Sequence, residues 1–283
     1  MTLTAIEIRR AVRAALAEDL GRGDVTTLAT VPANATSVAL MQAREALSLV
    51  GIQFAEMAFR ELSAKIKIQK LARDGEKLSA GQPILKISGP SQAILSAERV
   101  ALNFVQRLSG VATATTHYVD AIKSSKARIL DTRKTTPGWR RFEKYAVKCG
   151  GGKNLRLGLF DMVLIKDNHL VALRDEQPNA IAAAVTRARK KFPLLKVEVE
   201  ADTLAQVAQA AEAGADIILL DNMPLKVLRA AVKLVAGRAL TEASGGVNLK
   251  TVGAIAATGV DYISVGAITH SARAVDIGLD FED

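Results

Sequence analysis

The chain has 283 residues, enough for one large domain or two ordinary ones with a sizeable core, and its composition is that of a folded protein. Thirty-eight Lys and Arg face 29 Asp and Glu, a formal charge of +9 that favours anionic partners. Aromatic residues make up only 4%, which argues against a single-strand nucleic-acid binder with stacking platforms, and the single cysteine excludes an internal disulfide.

The opening segment MTLTAIEIRRAVRAALAEDLG carries Ile6, Val12, Leu16 and Leu20 at helical spacing. Its acids Glu7, Glu18 and Asp19 speak against a signal or transit peptide. No uncharged apolar run approaches the roughly 18 residues of a membrane span. A cytoplasmic protein with no membrane and no nucleic-acid partner is expected. After the Gly/Asp-rich turn EDLGRGDVTT come the β-like pieces SVALMQ, KIKIQKL and PILKISG. DGEKLSAGQPILKISG has the hairpin-and-glycine rhythm of folds that carry lipoyl or biotinyl groups, but no lysine sits at the tip in the form those domains use. Residues 1–105 are therefore expected to form an N-terminal α/β sandwich.

From about residue 127 a short apolar run, a polar residue at its end and a helix-like segment recur. The strands are ARILDT, DMVLIK, LKVEVEA, ADIILLD, RALTEAS and DYISVGA. Between several of them lie Ala-rich amphipathic stretches, which implies a parallel sheet covered by helices. Reactive side chains end many different strands, which favours a barrel over a doubly wound sheet. Six strands are fewer than eight, so the expected fold is α/β, an incomplete (open) α/β barrel over residues 106–270. GVATATTHYVDAI is a helical lead-in to it, and the tail 271–283 is a candidate to pack back on the first domain.

Between Thr132 and Arg156 lie Arg133, Lys134, Arg140, Arg141, Lys144, Lys148, Lys153 and Arg156, opposed by Glu143 alone. For Arg140, Arg141, Lys144 and Lys148, a solvated helix face and an anion-binding role stand equally open. Arg133 and Lys134 end a strand buried on both sides, where a cation without a partner costs several kcal/mol, so an anion should meet them. Lys166 ends DMVLIK in the same way. In a parallel barrel these strand ends share one face. In LKVEVEA, period-two alternation sends Glu198 and Glu200 inward, and Asp221 closes IILLD. These acids serve either to neutralise the lysines or to bind sugar hydroxyls and a hydrated Mg²⁺. Ser244-Gly245-Gly246 and Gly266, after the last two strands, suit a phosphate cradle. His117, His169 and His270 are too scattered for a metal motif. A phosphorylated sugar meeting a carboxylated partner fits this set.

EDLGRGDVTT, SAERVALNFVQRLSGVAT, LDTRKTTPG, EKYAVKCGGGKN with Arg156 and Gly158 beyond, VLIKDNH, AGADIILLDN, EASGG and TGVDYISVGAITHS, in this order, resemble the quinolinate phosphoribosyltransferase family. The resemblance runs from about residue 18 to the C-terminus. It implies a sandwich followed by an open barrel, a homodimer or hexamer, and the joining of quinolinate to 5-phosphoribosyl 1-diphosphate with Mg²⁺, giving nicotinate mononucleotide, CO₂ and diphosphate in NAD biosynthesis. By motif it also implies that Arg133, Lys134, Arg156 and Lys166 meet quinolinate. Arg99 is similar to an arginine lent to a neighbouring subunit, and Glu200 and Asp221 resemble acids near the ribose and metal. Ser244, Gly245, Gly246, Gly266 and His270 match the phosphate region, and Lys134, Glu200 and Asp221 are the catalytic candidates. One position departs: Leu155 stands where the family usually has His, so a contact to quinolinate is lost or passes to Lys153. A related phosphoribosyltransferase with another acceptor, of the type associated with molybdate transport, is the alternative.

Overall fold

The computed structural model of the chain describes residues 1–282. Helix α1 (Ala5–Leu20) starts at a capping box: Thr4 Oγ1 accepts from the Glu7 N–H, and the Glu7 carboxylate accepts from the Thr4 N–H at 2.9 Å. Its inward stripe is Ile8, Val12 and Leu16. Within the expected turn, Asp24 caps a short α2 (Val25–Thr30) by accepting from the Thr27 N–H at 3.0 Å. Then follow β1 (Thr36–Ala43), β2 (Leu47–Ser48), α3 (Ile52–Leu62), β3 (Lys67–Lys70), β4 (Lys77–Leu78), β5 (Pro83–Pro90) and α4 (Ser91–Ala121). The expected lead-in helix is the end of α4, a single helix of 31 residues.

The second half alternates: β6 (Arg128–Leu130), α5 (Arg140–Cys149), β7 (Val163–Ile165), α6 (Asp167–Val171), α7 (Ala180–Lys191), β8 (Val197–Ala201), α8 (Leu204–Glu212), β9 (Ile217–Asp221), α9 (Leu225–Val235), β10 (Leu240–Ser244), α10 (Val252–Ala256), β11 (Tyr262–Ser264), α11 (Ala267–His270) and a final β12 (Ile277–Phe281). Six of these strands form one parallel sheet in the order β6-β11-β10-β9-β8-β7. The first strand in sequence pairs with the last, as in a barrel, and β6 and β7 are left as the two edges. Alongside β6 runs the segment after the triple glycine: the Lys153 N–H donates to Ile129 O at 2.8 Å and the Asp131 N–H to Lys153 O at 3.2 Å. The barrel is open, as expected.

The other main sheet is antiparallel, in the order β12-β1-β5-β3, with β2 and β4 as a separate pair. Contacts divide the chain into one unit of residues 1–116, 141–151 and 271–283 and another of 117–140 and 152–270. The tail joins the first unit through β12. The same unit takes in residues 106–116 and 141–151. Local bonds explain this. Ser109 and Thr113 accept from the backbone N–H groups of Val50 and Ser48, both at 2.9 Å. In α5, Tyr145 donates to Asp74 at 3.0 Å, and Asp74 in turn caps the start of α3.

The cations of α5 correct the solvated-face reading. Lys144 is fully buried, as is Glu143, which pairs with Arg107 at 2.8 Å, while Arg141 pairs with Glu7. Arg140 donates to Thr135 Oγ1 at 3.0 Å and to Leu157 O at 3.2 Å. Of the four, Lys148 alone is exposed.

Candidate active site

A cavity of about 840 Å³ opens at the C-terminal ends of the parallel strands. The sheet delivers its walls strand by strand. Thr132, Arg133 and Lys134 follow β6; Leu155 and Arg156 come from the segment beside β6; Leu164 and Lys166 come from β7 and its end. Glu200 belongs to β8, Leu219 and Asp221 to β9, Glu242 and Ser244 to β10, and Ser264 to β11, with Gly245, Gly246, Gly266 and His270 in the connections beyond. Arg133, Lys134, Arg156, Lys166, Glu200, Asp221 and the glycine-turn residues predicted from sequence all line this cavity; Glu198 does not, and Arg99 is exposed on α4. His117 and His169 are not among the lining residues, and His169 Nδ1 accepts from the Lys166 N–H at 2.9 Å.

The cationic side is under-satisfied. Arg133 Nε is buried without a hydrogen-bond partner among the described residues. Burial and the neighbouring Arg133 charge hold the Arg156 guanidinium below the usual arginine range, partly offset by Glu198 and Asp161. Two guanidinium groups that repel each other in a partly dry cavity await an anion. The segment carrying Arg156 is fixed by Asp131, a fully buried carboxylate that accepts from the Leu155 N–H at 2.9 Å and from Asn154 Nδ2 at 2.8 Å. This turns the Leu155 side chain to the cavity. Lys153 is exposed and is not in the cavity lining.

The acids divide by depth. Glu200 forms an ion pair with Lys166 across β7 and β8, and Asp221 accepts from Asn222 Nδ2 at 2.7 Å. Glu198 faces inward as expected and is fully buried, as is Glu242, but unlike Glu242 it does not line the cavity. Burial raises both carboxyl groups well above the usual glutamate range, and the Glu242 charge adds to the rise at Glu198. Ser264 Oγ donates to Glu242, while neither Glu198 oxygen has a hydrogen-bond partner among the described residues. Whichever carboxyl of the two keeps its proton can donate to the other.

The sequence reading missed Glu242 and Asn222. Period two from Ser244 points Glu242 to the same face and could have found it. Asn222 offered only the weak signal that Asn tolerates a left-handed backbone, which it adopts here with φ +53°. At Gly266 a Cβ would be in tight contact, 3.1 Å from the His270 ring and 3.2 Å from Lys134 Cδ, so those side chains would have to shift slightly to admit it.

The family model of the quinolinate phosphoribosyl transferase N-terminal domain matches residues 24–109, and that of the C-terminal domain matches residues 111–280. The chain belongs to the quinolinate phosphoribosyltransferase family. It is 43% identical over 278 residues to the nicotinate-nucleotide pyrophosphorylase [carboxylating] of Mycobacterium leprae, covering 96% of each chain. It is 38% identical to the probable nicotinate-nucleotide pyrophosphorylase [carboxylating] of Bacillus subtilis, covering 97% of this chain and 93% of the relative. The solved nicotinate-nucleotide pyrophosphorylase from Francisella tularensis superposes with a TM-score of 0.93 at 41% identity, covering 99% and 98% of the two chains. Among the described residues no helix is long and apolar enough to cross a membrane, and no cluster of three or more metal-ligating side chains occurs.

Proposed function

We infer that the chain transfers the phosphoribosyl group of 5-phosphoribosyl 1-diphosphate to quinolinate, releasing diphosphate and CO₂ and forming nicotinate mononucleotide for NAD biosynthesis. The observation that carries this is the pair Arg133 and Arg156, whose charges repel each other in the lining of a cavity that also holds Lys134 and Lys166, with Arg133 Nε buried and without a hydrogen-bond partner among the described residues. A ring with two adjacent carboxylates is the acceptor that such a pair, with two flanking ammonium groups, orients best.

In this reading the cations fix the acceptor so that its ring nitrogen faces the anomeric carbon. Leu155, Leu164 and Leu219 give apolar lining for the ring. As diphosphate departs, the pentose carbon becomes oxocarbenium-like, and the carboxylates of Glu200 and Asp221 stabilise that charge and accept from the pentose hydroxyls. Ser244, Gly245, Gly246, Gly266 and His270 receive phosphate groups. The alkylated nitrogen is positive, so the ring can hold the electrons left when the adjacent carboxylate leaves as CO₂, and that carbon then takes up a proton. Among the described lining residues the half-buried carboxylates are Asp221 and Glu200, the latter paired with Lys166, which suits Mg²⁺ arriving on the diphosphate with its own oxygen ligands. There it would neutralise the leaving group. The reading is tested by acceptor choice: quinolinate should be turned over and nicotinate, with one carboxylate, should not, and the reverse preference would refute it.

Leu155 supplies no hydrogen bond to the acceptor. Leu155→His should therefore strengthen quinolinate binding by about 1 to 3 kcal/mol, seen as a KM lowered about 5- to 150-fold. An unchanged KM would mean that this wall does not meet the acceptor.

Arg99, exposed on α4 and outside the cavity lining, supports a homodimer or larger homo-oligomer in which each site borrows it from a neighbour. Arg99→Ala and Lys134→Ala chains should each be inactive alone and regain activity when mixed under conditions that exchange subunits. Failure of mixing to restore turnover would leave the sites unshared.

A further inference from the structure

Asn222 stands immediately after Asp221 in a left-handed backbone conformation, φ +53°, that residues other than Gly adopt rarely and that gathers at functional sites. Three contacts use it. Its Nδ2 donates to Asp221 Oδ2 at 2.7 Å, its backbone N–H donates to Ser244 O at 2.9 Å, and its side-chain oxygen lies over the Cα of Gly245. A Cβ added at Gly245 would be 2.0 Å from Asn222 Oδ1 and 2.4 Å from Cγ. Gly245 is therefore glycine partly because the Asn222 amide fills the space above it. Gly245 and Gly246 both have positive φ, +94° and +59°. The shape of their turn depends on what packs against it.

We propose that Asn222 is a positioning residue that locks the Asp221 carboxylate to the Ser244–Gly246 turn, setting the acid and the turn at one fixed spacing for the pentose phosphate half of the substrate pair. This rests on the phosphoribosyl-transfer reading above and adds to it the group that couples its acid to its phosphate cradle. The chemistry selects asparagine. Glycine would accept the backbone conformation without the amide. Aspartate would fit in size, but it replaces the donor to Asp221 with a second negative charge. By occupying Oδ2, the amide leaves Oδ1 of Asp221 for a pentose hydroxyl.

The test compares Asn222→Gly and Asn222→Asp with the unaltered full chain. Calorimetry measures the Kd of 5-phosphoribosyl 1-diphosphate in Mg²⁺ and of quinolinate, and steady-state assays give KM for each. Losing a charge-assisted hydrogen bond and its packing should weaken 5-phosphoribosyl 1-diphosphate about tenfold or more in Asn222→Gly and further in Asn222→Asp, with quinolinate within about twofold. A merely structural role would lower both affinities together. That result, or an unchanged Kd for 5-phosphoribosyl 1-diphosphate in Asn222→Gly, would overturn the proposal. If Asn222→Gly loses its native circular dichroism, Asn222→Asp decides alone by the same split. An unaltered chain that binds the phosphoribosyl donor but turns over no quinolinate would sink the functional reading, while the binding comparison would still decide the role of Asn222.

Discussion

Arg156→Ala should raise the KM for quinolinate by about 100- to 1,000-fold, the usual consequence of removing about 3 to 4 kcal/mol of desolvated charge pairing. The reason lies in the ligand-free cavity. Arg156 and Arg133 are held together against their mutual repulsion, Arg156 below its ordinary pKa and Arg133 with a buried Nε that finds no partner. Such an arrangement costs stability unless an anion completes it, so the same substitution should leave the ligand-free protein as stable as before or more so. Loss of substrate binding without loss of thermal stability separates a binding residue from a structural one. Arg156→Lys should recover little, because an ammonium cannot reproduce the two parallel hydrogen bonds of a guanidinium to a carboxylate. A KM for quinolinate that moves less than about tenfold in Arg156→Ala would show that the arginine pair does not hold the acceptor.

Glu242→Gln should stabilise the fold at alkaline pH by about 1 to 3 kcal/mol and have little effect near pH 5. Burial raises the Glu242 carboxyl above the usual glutamate range, with Glu198 and Asp131 close by. The folded state therefore keeps a proton that the unfolded chain gives up. A raised pKa of this kind contributes stability below the unfolded value of about 4.5 that is lost as pH rises towards the folded value, so the wild-type protein should weaken over that window. Glutamine is neutral throughout. It can still accept from Ser264, and its amide can donate to a Glu198 oxygen that otherwise has no protein donor. Urea midpoints at pH 5 and pH 8 measure the difference. Equal pH dependence in the two proteins would contradict a proton held at this pair.

The six parallel strands were legible because each is a short apolar run ending in a polar residue, a pattern that burial on both faces demands. Period two in LKVEVEA correctly turned Glu198 and Glu200 inward, but it could not say that Glu198 would be fully buried and outside the cavity lining. That depends on the depth of β8 against β9, where Glu200 lies opposite Leu219 and Glu198 opposite Ile217. Lys144 shows the limit of charge patterning. A helix reading RRFEKYAVKC has the composition of a solvated surface, and its burial follows from long-range partners such as the Glu143–Arg107 pair. Nor could any local periodicity show that residues 153–156 run beside β6 at the open edge of the barrel, since one isolated bridge and the buried Asp131 hold them there. Asn222 was hidden for the same reason: its partners, Ser244 and Gly245, are more than 20 residues away and come close only when β9 and β10 pair.

The central claim is that this cavity joins a pyridine dicarboxylate to a phosphoribosyl group and then decarboxylates it. The most direct measurement follows nicotinate mononucleotide and CO₂ together, with purified protein, Mg²⁺, 5-phosphoribosyl 1-diphosphate and quinolinate. The account predicts that both appear in equal amounts and that neither forms when Mg²⁺ is chelated. Purified, folded protein that releases neither product from quinolinate would contradict it and would point to a different acceptor facing Leu155.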